Sequence, residues 1–200
     1  MLAYVLAHMA GNLLAFAGSA TFNAYAHGMR EVGAPLVGDS VVLWAVRVVL
    51  AAALFTHLAT HAFRLFHTDA DSSSYAGIPP WYATLPLAWL AASGALIAIF
   101  VAFHLAQLTI GATHPAFVPD NPYHNLVVAL SEWPTALAYV GVAIAVSGHL
   151  LPGVWTGMQT LGLIRPGTRV LAGRLSTLIP LVLLLGLSAV PVAVLSGVLH

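Results

Sequence analysis

Long apolar stretches separated by short polar segments dominate the chain. A helix needs about 20 apolar residues to cross a bilayer. Four stretches reach that length, and the first is shorter. The five stretches cover residues 1–17, 41–66, 87–110, 135–161 and 176–199. The pattern predicts an all-α integral membrane bundle of five transmembrane helices, forming a single domain over residues 1–200.

Composition supports a membrane protein and excludes several chemistries. Hydrophobic residues make up 60% of the chain and charged residues 6%, with no lysine. A soluble domain carries about 25% charged residues. Six arginines balance six acidic residues, so the net charge gives no indication of a nucleic-acid partner. The absence of cysteine excludes disulfides, iron–sulfur ligation and covalently attached c-type haem within this chain.

The arginines predict the orientation of the helices. Arg165, Arg169 and Arg174 fall in the fourth polar segment, 162–174, and Arg64 lies where the second span meets the second polar segment. Alternating spans place these two segments on one side, which the positive-inside rule assigns to the cytoplasm. We therefore expect a multi-pass membrane protein with a cytoplasmic N-terminus.

One histidine lies inside each of the first four apolar stretches: His8, His57, His104 and His149. An ionisable side chain in hydrocarbon is costly and is usually functional. Imidazole is an axial ligand of haem iron, and helical bundles hold such cofactors between facing helices. Four such residues suggest two b-type haems, enclosed by four of the five helices and each held by two imidazoles.

Depth along the spans predicts how the histidines pair. His57 and His149 lie 16 and 15 residues from the outer ends of their spans, roughly 24 and 22 Å at the helical rise. His104 and His8 lie seven and ten residues from their outer ends, roughly 10 and 15 Å. We expect His57 with His149 toward the cytoplasm and His8 with His104 toward the outside. His61, one helical turn after His57, is the alternative ligand on that helix.

Other polar residues within or beside the spans have competing interpretations. Arg47 is a candidate to pair with a haem propionate, and snorkelling to the interface is the alternative. Glu31 and Glu132, at the outer boundary, either receive protons released by redox chemistry in the bundle or are simply solvated. Small residues beside the histidines leave room for a flat macrocycle or serve helix packing; they are Gly11, Gly148 and Gly153.

The remaining aromatic and polar residues predict interfaces. We expect an aromatic belt of Trp44, Trp133 and Tyr139 at the outer edge and of Trp81 and Tyr82 at the inner edge. Histidines of the polar segments are expected to be solvated or interfacial: His27, His67, His114 and His124.

Six sequence strings together resemble one family in the right order over nearly the whole chain. They are HMAGNLL (8–14), FNAYAH (22–27), LWAVR (43–47), FHL (103–105), YHN (123–125) and HLLPGVWTGMQTLG (149–162). The resemblance is to the cytochrome b membrane anchor of succinate dehydrogenases and fumarate reductases, in its single-subunit, five-helix, di-haem form. The chain departs from that family in two segments. It has no arginine between Thr68 and Pro80, where Tyr75 is nevertheless present, and none between Tyr82 and Pro86.

The resemblance implies a non-catalytic electron-transfer subunit of respiratory complex II, which links the tricarboxylic acid cycle to membrane quinone. The family's axial haem ligands match His8, His57, His104 and His149. Partners would be a flavoprotein subunit with FAD and an iron–sulfur subunit, both on the cytoplasmic face. Succinate chemistry would reside in those partners, and the expected quinone is menaquinone. The resembled form also implies a bacterial inner membrane. Polar residues toward the inner ends of the spans are then candidates to contact a quinone carbonyl: Ser93, Gln159 and Thr160.

Two other classes compete with this hypothesis. A di-haem cytochrome b of another quinone-linked dehydrogenase, of the formate dehydrogenase or hydrogenase type, would use the same four histidines. A metal transporter or intramembrane metalloprotease would need carboxylates beside histidine, or a His-Glu-x-x-His pattern. No carboxylate lies within a predicted span, and that pattern is absent from the sequence.

Overall fold

A computed structural model describes residues 1–67, 80–85 and 87–200. These residues are almost entirely helical and contain no strand. The predicted features at Tyr75 and in the arginine-free segment 68–79 lie outside the described residues, as does Pro86. The helices are α1 Leu2–Leu13, α2 Ser19–Glu31, α3 Ala34–Val37, α4 Val41–His67, α5 Leu87–His104, α6 Pro122–Ser131, α7 Trp133–Thr160 and α8 Arg169–Leu195.

Within the described residues, four helices are long and apolar enough to cross a membrane, where five spans were expected. They are compatible with the predicted membrane helical bundle. These segments are Val41–Phe63, Ala88–Ile110, Trp133–Thr160 and Arg169–Leu195. A shorter apolar helix, Leu2–Ala17, consists of α1 and a following 3₁₀ turn. It is shorter than the roughly 20 residues that span a bilayer.

Helices α7 and α8 pack against each other along their length and form the centre of the bundle. Many of the buried positions are small, such as Ala143 and Ser147 on α7 and Ala172 and Ser176 on α8. Small side chains let the two backbones approach closely, which is how helices associate in lipid. Leu183 of α8 is fully buried within this part of the bundle.

The remaining long helices surround this centre less closely. Helix α5 packs on α7, and α1 packs on α8. Helix α4 is different, because none of its residues from Val41 to Phe63 is buried. Its contacts with α2, α3 and α5 are limited, so α4 forms an open edge of the bundle.

Two helices cap one end of the bundle, within segments that lie between the predicted spans. Helices α2 and α6 are joined by hydrogen bonds between residues far apart in sequence. The Asn23 amide donates to Asn121 Oδ1 at 3.0 Å, and the Tyr123 backbone N–H donates to Asn23 Oδ1 at 2.9 Å. Arg30 forms an ion pair with Asp120 at 2.5 Å. We call this end the α2–α6 end.

The boundaries of the last helix differ from the prediction. Helix α8 begins at Arg169 and ends at Leu195, whereas the apolar pattern predicted 176–199. Arg169 and Arg174 therefore lie on the first turns of α8. The Arg169 guanidinium lies 5.7 Å from the Trp155 ring centroid. Ala172 packs against the same tryptophan, and such contacts make the extra turns favourable.

Candidate cofactor site

The four histidines from the apolar stretches meet in two pairs. The ring centroids of His8 and His104 lie 5.7 Å apart, with the ring planes at 89°. Those of His57 and His149 lie 6.1 Å apart, with the planes at 77°. These are the partners that the matching depths predict. Their role as iron ligands stays a prediction.

Each histidine pair bridges helices that otherwise scarcely touch. His8 and His104 join α1 to α5, and His57 and His149 join α4 to α7. Within the described residues, neither helix pair forms an extended helix–helix contact. The histidines thus meet across the loosely packed boundaries of the bundle, away from the α7–α8 centre.

The two pairs lie at different depths. Helices α5 and α7 are antiparallel, because His104 of α5 meets Tyr139 of α7 and Ser93 of α5 meets His149 of α7. Ten residues separate Tyr139 from His149, and eleven separate Ser93 from His104. Either helix gives a separation of roughly 15 Å between the two levels. The His8–His104 pair is the one nearer the α2–α6 end.

Hydrogen bonds define the protonation of His104. Its Nδ1 lies 3.1 Å from the hydroxyl oxygen of Tyr139, and that hydroxyl donates its proton to Gln107 Oε1 at 2.9 Å. Because the single phenolic proton is directed at Gln107, the oxygen accepts a hydrogen bond from Nδ1–H of His104. The lone pair of Nε2 is then available to a metal. Gln107 is buried and lies in the π-helical turn Leu105–Ile110, which continues α5 directly after His104.

His149 has an equivalent arrangement. Its Nδ1 lies 3.1 Å from Ser93 Oγ, whose proton is donated to the Trp89 carbonyl at 2.8 Å. The serine oxygen can therefore accept from Nδ1–H, and the Leu90 backbone also hydrogen-bonds to the His149 ring. Gly94 lets the ring lie close to the α5 backbone, because a Cβ there would lie 3.4 Å from the imidazole Cε1.

The residues present fit a metal-containing group that two imidazoles would hold. An imidazole nitrogen binds a metal at about 2.0 Å, so two rings that held one ion between them would have centroids roughly 6 Å apart. The observed 5.7 and 6.1 Å match that spacing. A hydrogen bond that fixes the tautomer through Nδ1 is typical of metal-ligating histidine. The described residues contain no group of three or more His, Cys, Asp or Glu side chains that suits a metal held by protein ligands alone.

The glycines beside the histidines serve helix packing at two of three positions. A Cβ at Gly11 would lie 2.8 Å from the Tyr25 hydroxyl oxygen, and one at Gly148 would lie 2.9 Å from the Trp89 ring. These glycines make room for neighbouring aromatic side chains. Gly153 has open space beside it.

Two other residues of α4, His61 and Arg47, are alternative candidates to contact a cofactor. The ring of His61 is stacked on that of His57 at 6.4 Å and 11°, which puts His61 on the same helix face as predicted. The Arg47 guanidinium lies 4.9 Å from the Trp44 ring centroid in a cation–π contact, and its side chain is exposed. Both interpretations of Arg47 stay predictions.

Three residues have surroundings different from those expected. Ser93, a candidate for quinone contact, is 5% exposed and bonded to His149. Tyr139, assigned to the aromatic belt, contacts His104, whereas Trp44 and Trp133 are 60% and 66% exposed. His114, expected to be solvated, is 7% exposed, and its Nε2 lies 3.1 Å from the Asn125 carbonyl oxygen.

The other polar candidates are accessible to varying degrees. Glu31 and Glu132 are exposed, as are His27 and Thr160, while Gln159 is partly exposed. Gln107 was missed by sequence reasoning. Its position three residues after His104 on an apolar helix is the signal that would have found it.

Comparison with known proteins gives no family to which the chain can be assigned. No protein-family model matches it, and neither a curated protein nor a solved structure shows significant similarity.

Proposed function

We propose that this chain is the membrane-anchor and electron-transfer subunit of a succinate:quinone oxidoreductase, with two b haems and a membrane quinone as its redox partners. It resides in the bacterial inner membrane with its N-terminus in the cytoplasm. A flavoprotein subunit and an iron–sulfur subunit bind its cytoplasmic face and carry out the succinate chemistry. The chain itself is not catalytic toward succinate.

One observation carries the cofactor part of this proposal: two pairs of facing imidazoles at two depths, each at the spacing of a bis-imidazole centre. The resemblance of the six sequence strings to the di-haem anchors supports the assignment to a succinate:quinone oxidoreductase and its partner subunits. Bound haem would supply reversible one-electron transfer within the membrane.

The chain's own residues would bind and orient such a group. His8 and His104 would hold one centre, and His57 and His149 the other. The Tyr139 and Ser93 hydroxyl oxygens would accept hydrogen bonds from Nδ1–H of His104 and His149, so that Nε2 of each ring could bind the group. Apolar side chains such as Phe100, whose ring stacks with that of His104 at 5.9 Å, exclude water from the pair near the α2–α6 end.

The main alternative is a di-haem cytochrome b subunit of another quinone-linked dehydrogenase, of the formate dehydrogenase or hydrogenase type. The histidine geometry supports this alternative and the succinate:quinone oxidoreductase assignment equally. The sequence strings favour the succinate family.

Purification of the tagged chain from its own membranes in mild detergent separates these alternatives. We expect a flavoprotein and an iron–sulfur protein to co-purify, and succinate to reduce the cytochrome. Reduction by formate or hydrogen, with succinate inactive, would favour the alternative. A chain that is coloured but reduced by none of the three would contradict both assignments.

The chain contains no cysteine, so single-cysteine labelling can test its topology cleanly. Arg165→Cys in the loop between α7 and α8 should react with a membrane-impermeant maleimide only from the cytoplasmic side. Glu31→Cys, at the α2–α6 end, is the matched control and should react only from the outside. Labelling of Arg165→Cys from outside would overturn the proposed docking face.

A further inference from the structure

Helices α5 and α7 exchange hydrogen bonds at the two histidine levels. Helix α5 provides His104 and a hydroxyl, Ser93, that contacts the histidine of α7. Helix α7 provides His149 and a hydroxyl, Tyr139, that contacts the histidine of α5. Each helix thus carries one candidate ligand and the side chain that orients the ligand of the other.

A third group indicates the direction of each of these hydrogen bonds. Gln107 Oε1 accepts the Tyr139 proton at 2.9 Å, and the Trp89 carbonyl accepts the Ser93 proton at 2.8 Å. Both hydroxyl oxygens are therefore acceptors toward the imidazoles. If the Tyr139 proton turned toward His104, Nδ1 would become the acceptor, the proton would sit on Nε2, and that nitrogen could not bind a metal.

These groups are shielded from solvent within the described part of the chain. Ser93 and Gln107 are each 5% exposed, and Tyr139 is partly buried. A buried polar side chain is costly unless its hydrogen bonds are satisfied. Tyr139 and Ser93 both satisfy their hydrogen bonds by ordering a histidine.

We propose that Tyr139, backed by Gln107, and Ser93 are positioning residues that hold His104 and His149 in the metal-ligating tautomer. This inference rests on the proposed di-haem function. Because the two acceptors contact histidines at different levels, each should affect only its own centre. An acceptor on Nδ1–H also makes the imidazole a more basic ligand, which favours the oxidised metal.

Conservative variants of the whole purified protein test the proposal. Tyr139→Phe and Gln107→Leu should lower haem retention or shift the midpoint potential only at the His8–His104 centre. Ser93→Ala should do so only at the His57–His149 centre. Loss of such a supporting contact typically lowers metal affinity 10- to 100-fold. Haem retained during detergent washing should fall accordingly. The remaining haem at the affected centre should have a more positive midpoint potential.

Two controls separate positioning from general packing. Ser147→Ala removes another buried hydroxyl, on α7, which donates to the Ala143 carbonyl of its own helix, and it should leave both potentials unchanged. Ser93→Thr retains a hydroxyl, so its midpoint potential should match that of the wild type and not the more positive value expected for Ser93→Ala.

The outcomes distinguish this inference from the function on which it rests. A wild-type protein without haem would defeat the proposed function. A wild-type protein with two haems, together with Tyr139→Phe and Ser93→Ala variants of unchanged potential and haem retention, would overturn the positioning role alone. Equal shifts in Ser147→Ala and Ser93→Ala would also overturn it, because packing would then explain both.

Discussion

The seam between α7 and α8 and the open edge formed by α4 are built on different principles. Eight residues of α7 and eight of α8 are buried, whereas no residue of α4 from Val41 to Phe63 is. The seam is held by close packing of small and apolar side chains. At the edge, the contact with α7 is made by a pair of histidines.

The two regions also differ in whether a histidine pair lies between their helices. Close-packed helices need no ligand to stay together, and the α7–α8 seam contains no histidine pair. The histidine pairs connect α4 and α1 to neighbours that they hardly contact otherwise. In the proposed function, a bound group completes the packing at those boundaries.

The largest expected effect is the loss of one entire centre when a histidine is removed. His57→Leu and His149→Leu should each remove the same centre, while the other survives. His8→Leu and His104→Leu should remove the other one. Visible spectra and redox titrations of the four variants provide the measurement. If the His57 and His104 variants lost the same centre, the pairing and the depth assignment would both be wrong.

A smaller effect is expected from a cavity in the seam. Leu183→Ala should lower the free energy of unfolding by about 2–4 kcal/mol, because the surrounding helices cannot fully close the space. Both spectra should persist while the protein is folded. Phe55→Ala on α4 is the matched control, since Phe55 is 74% exposed, and it should change stability by less than about 0.5 kcal/mol. Comparable losses in reversible detergent unfolding would remove the distinction between seam and edge.

A still smaller, pH-dependent effect is expected at the α2–α6 end. The hydrogen bond and charge of Arg30 lower the pKa of the exposed Asp120 carboxyl below its ordinary 3.8. A lowered carboxyl pKa means that the ion pair stabilises the fold at neutral pH and that this contribution is lost as pH falls through the lowered pKa.

Asp120→Asn is the matching variant, because Asp120 has φ 61° and asparagine tolerates that left-handed conformation well. Its melting temperature should fall below that of the wild type at neutral pH and low salt. The difference should vanish in strong acid and shrink in high salt. A difference that persisted in strong acid would show that the charge is not its source.

The smallest effect concerns His61, where no spectral change is expected. His61→Leu removes the ring stacked on His57 but leaves the facing pair of His57 and His149 intact. Both centres should therefore retain their spectra. Loss of a centre in His61→Leu, with His57→Leu unaffected, would make His61 the ligand of α4.

Apolar length and histidine depth allowed much of the bundle to be predicted. The four long helices follow directly from uncharged stretches, since lipid imposes a strong constraint on both length and polarity. The partners of His8 and His57 followed from counting residues along ideal helices. A regular rise of 1.5 Å per residue makes depth readable from sequence alone.

Features that depend on distant partners could not be predicted in the same way. Helices α2 and α6 are fixed by the Asn23–Asn121 contact, which joins residues 98 positions apart. Local patterning does not reveal such a contact. The sequence suggested a quinone contact for Ser93 and a place in the aromatic belt for Tyr139. In the structure, the packing of α5 on α7 places both side chains beside the histidines. The early start of α8 depends on Trp155, which belongs to another helix.

The haem content of the purified chain tests the central claim most directly. The measurement is the ratio of haem to protein, combined with the visible spectrum of the reduced protein. Two imidazole pairs predict a low-spin b-type spectrum and two haems per chain. A chain purified in its folded form with no haem would contradict the claim.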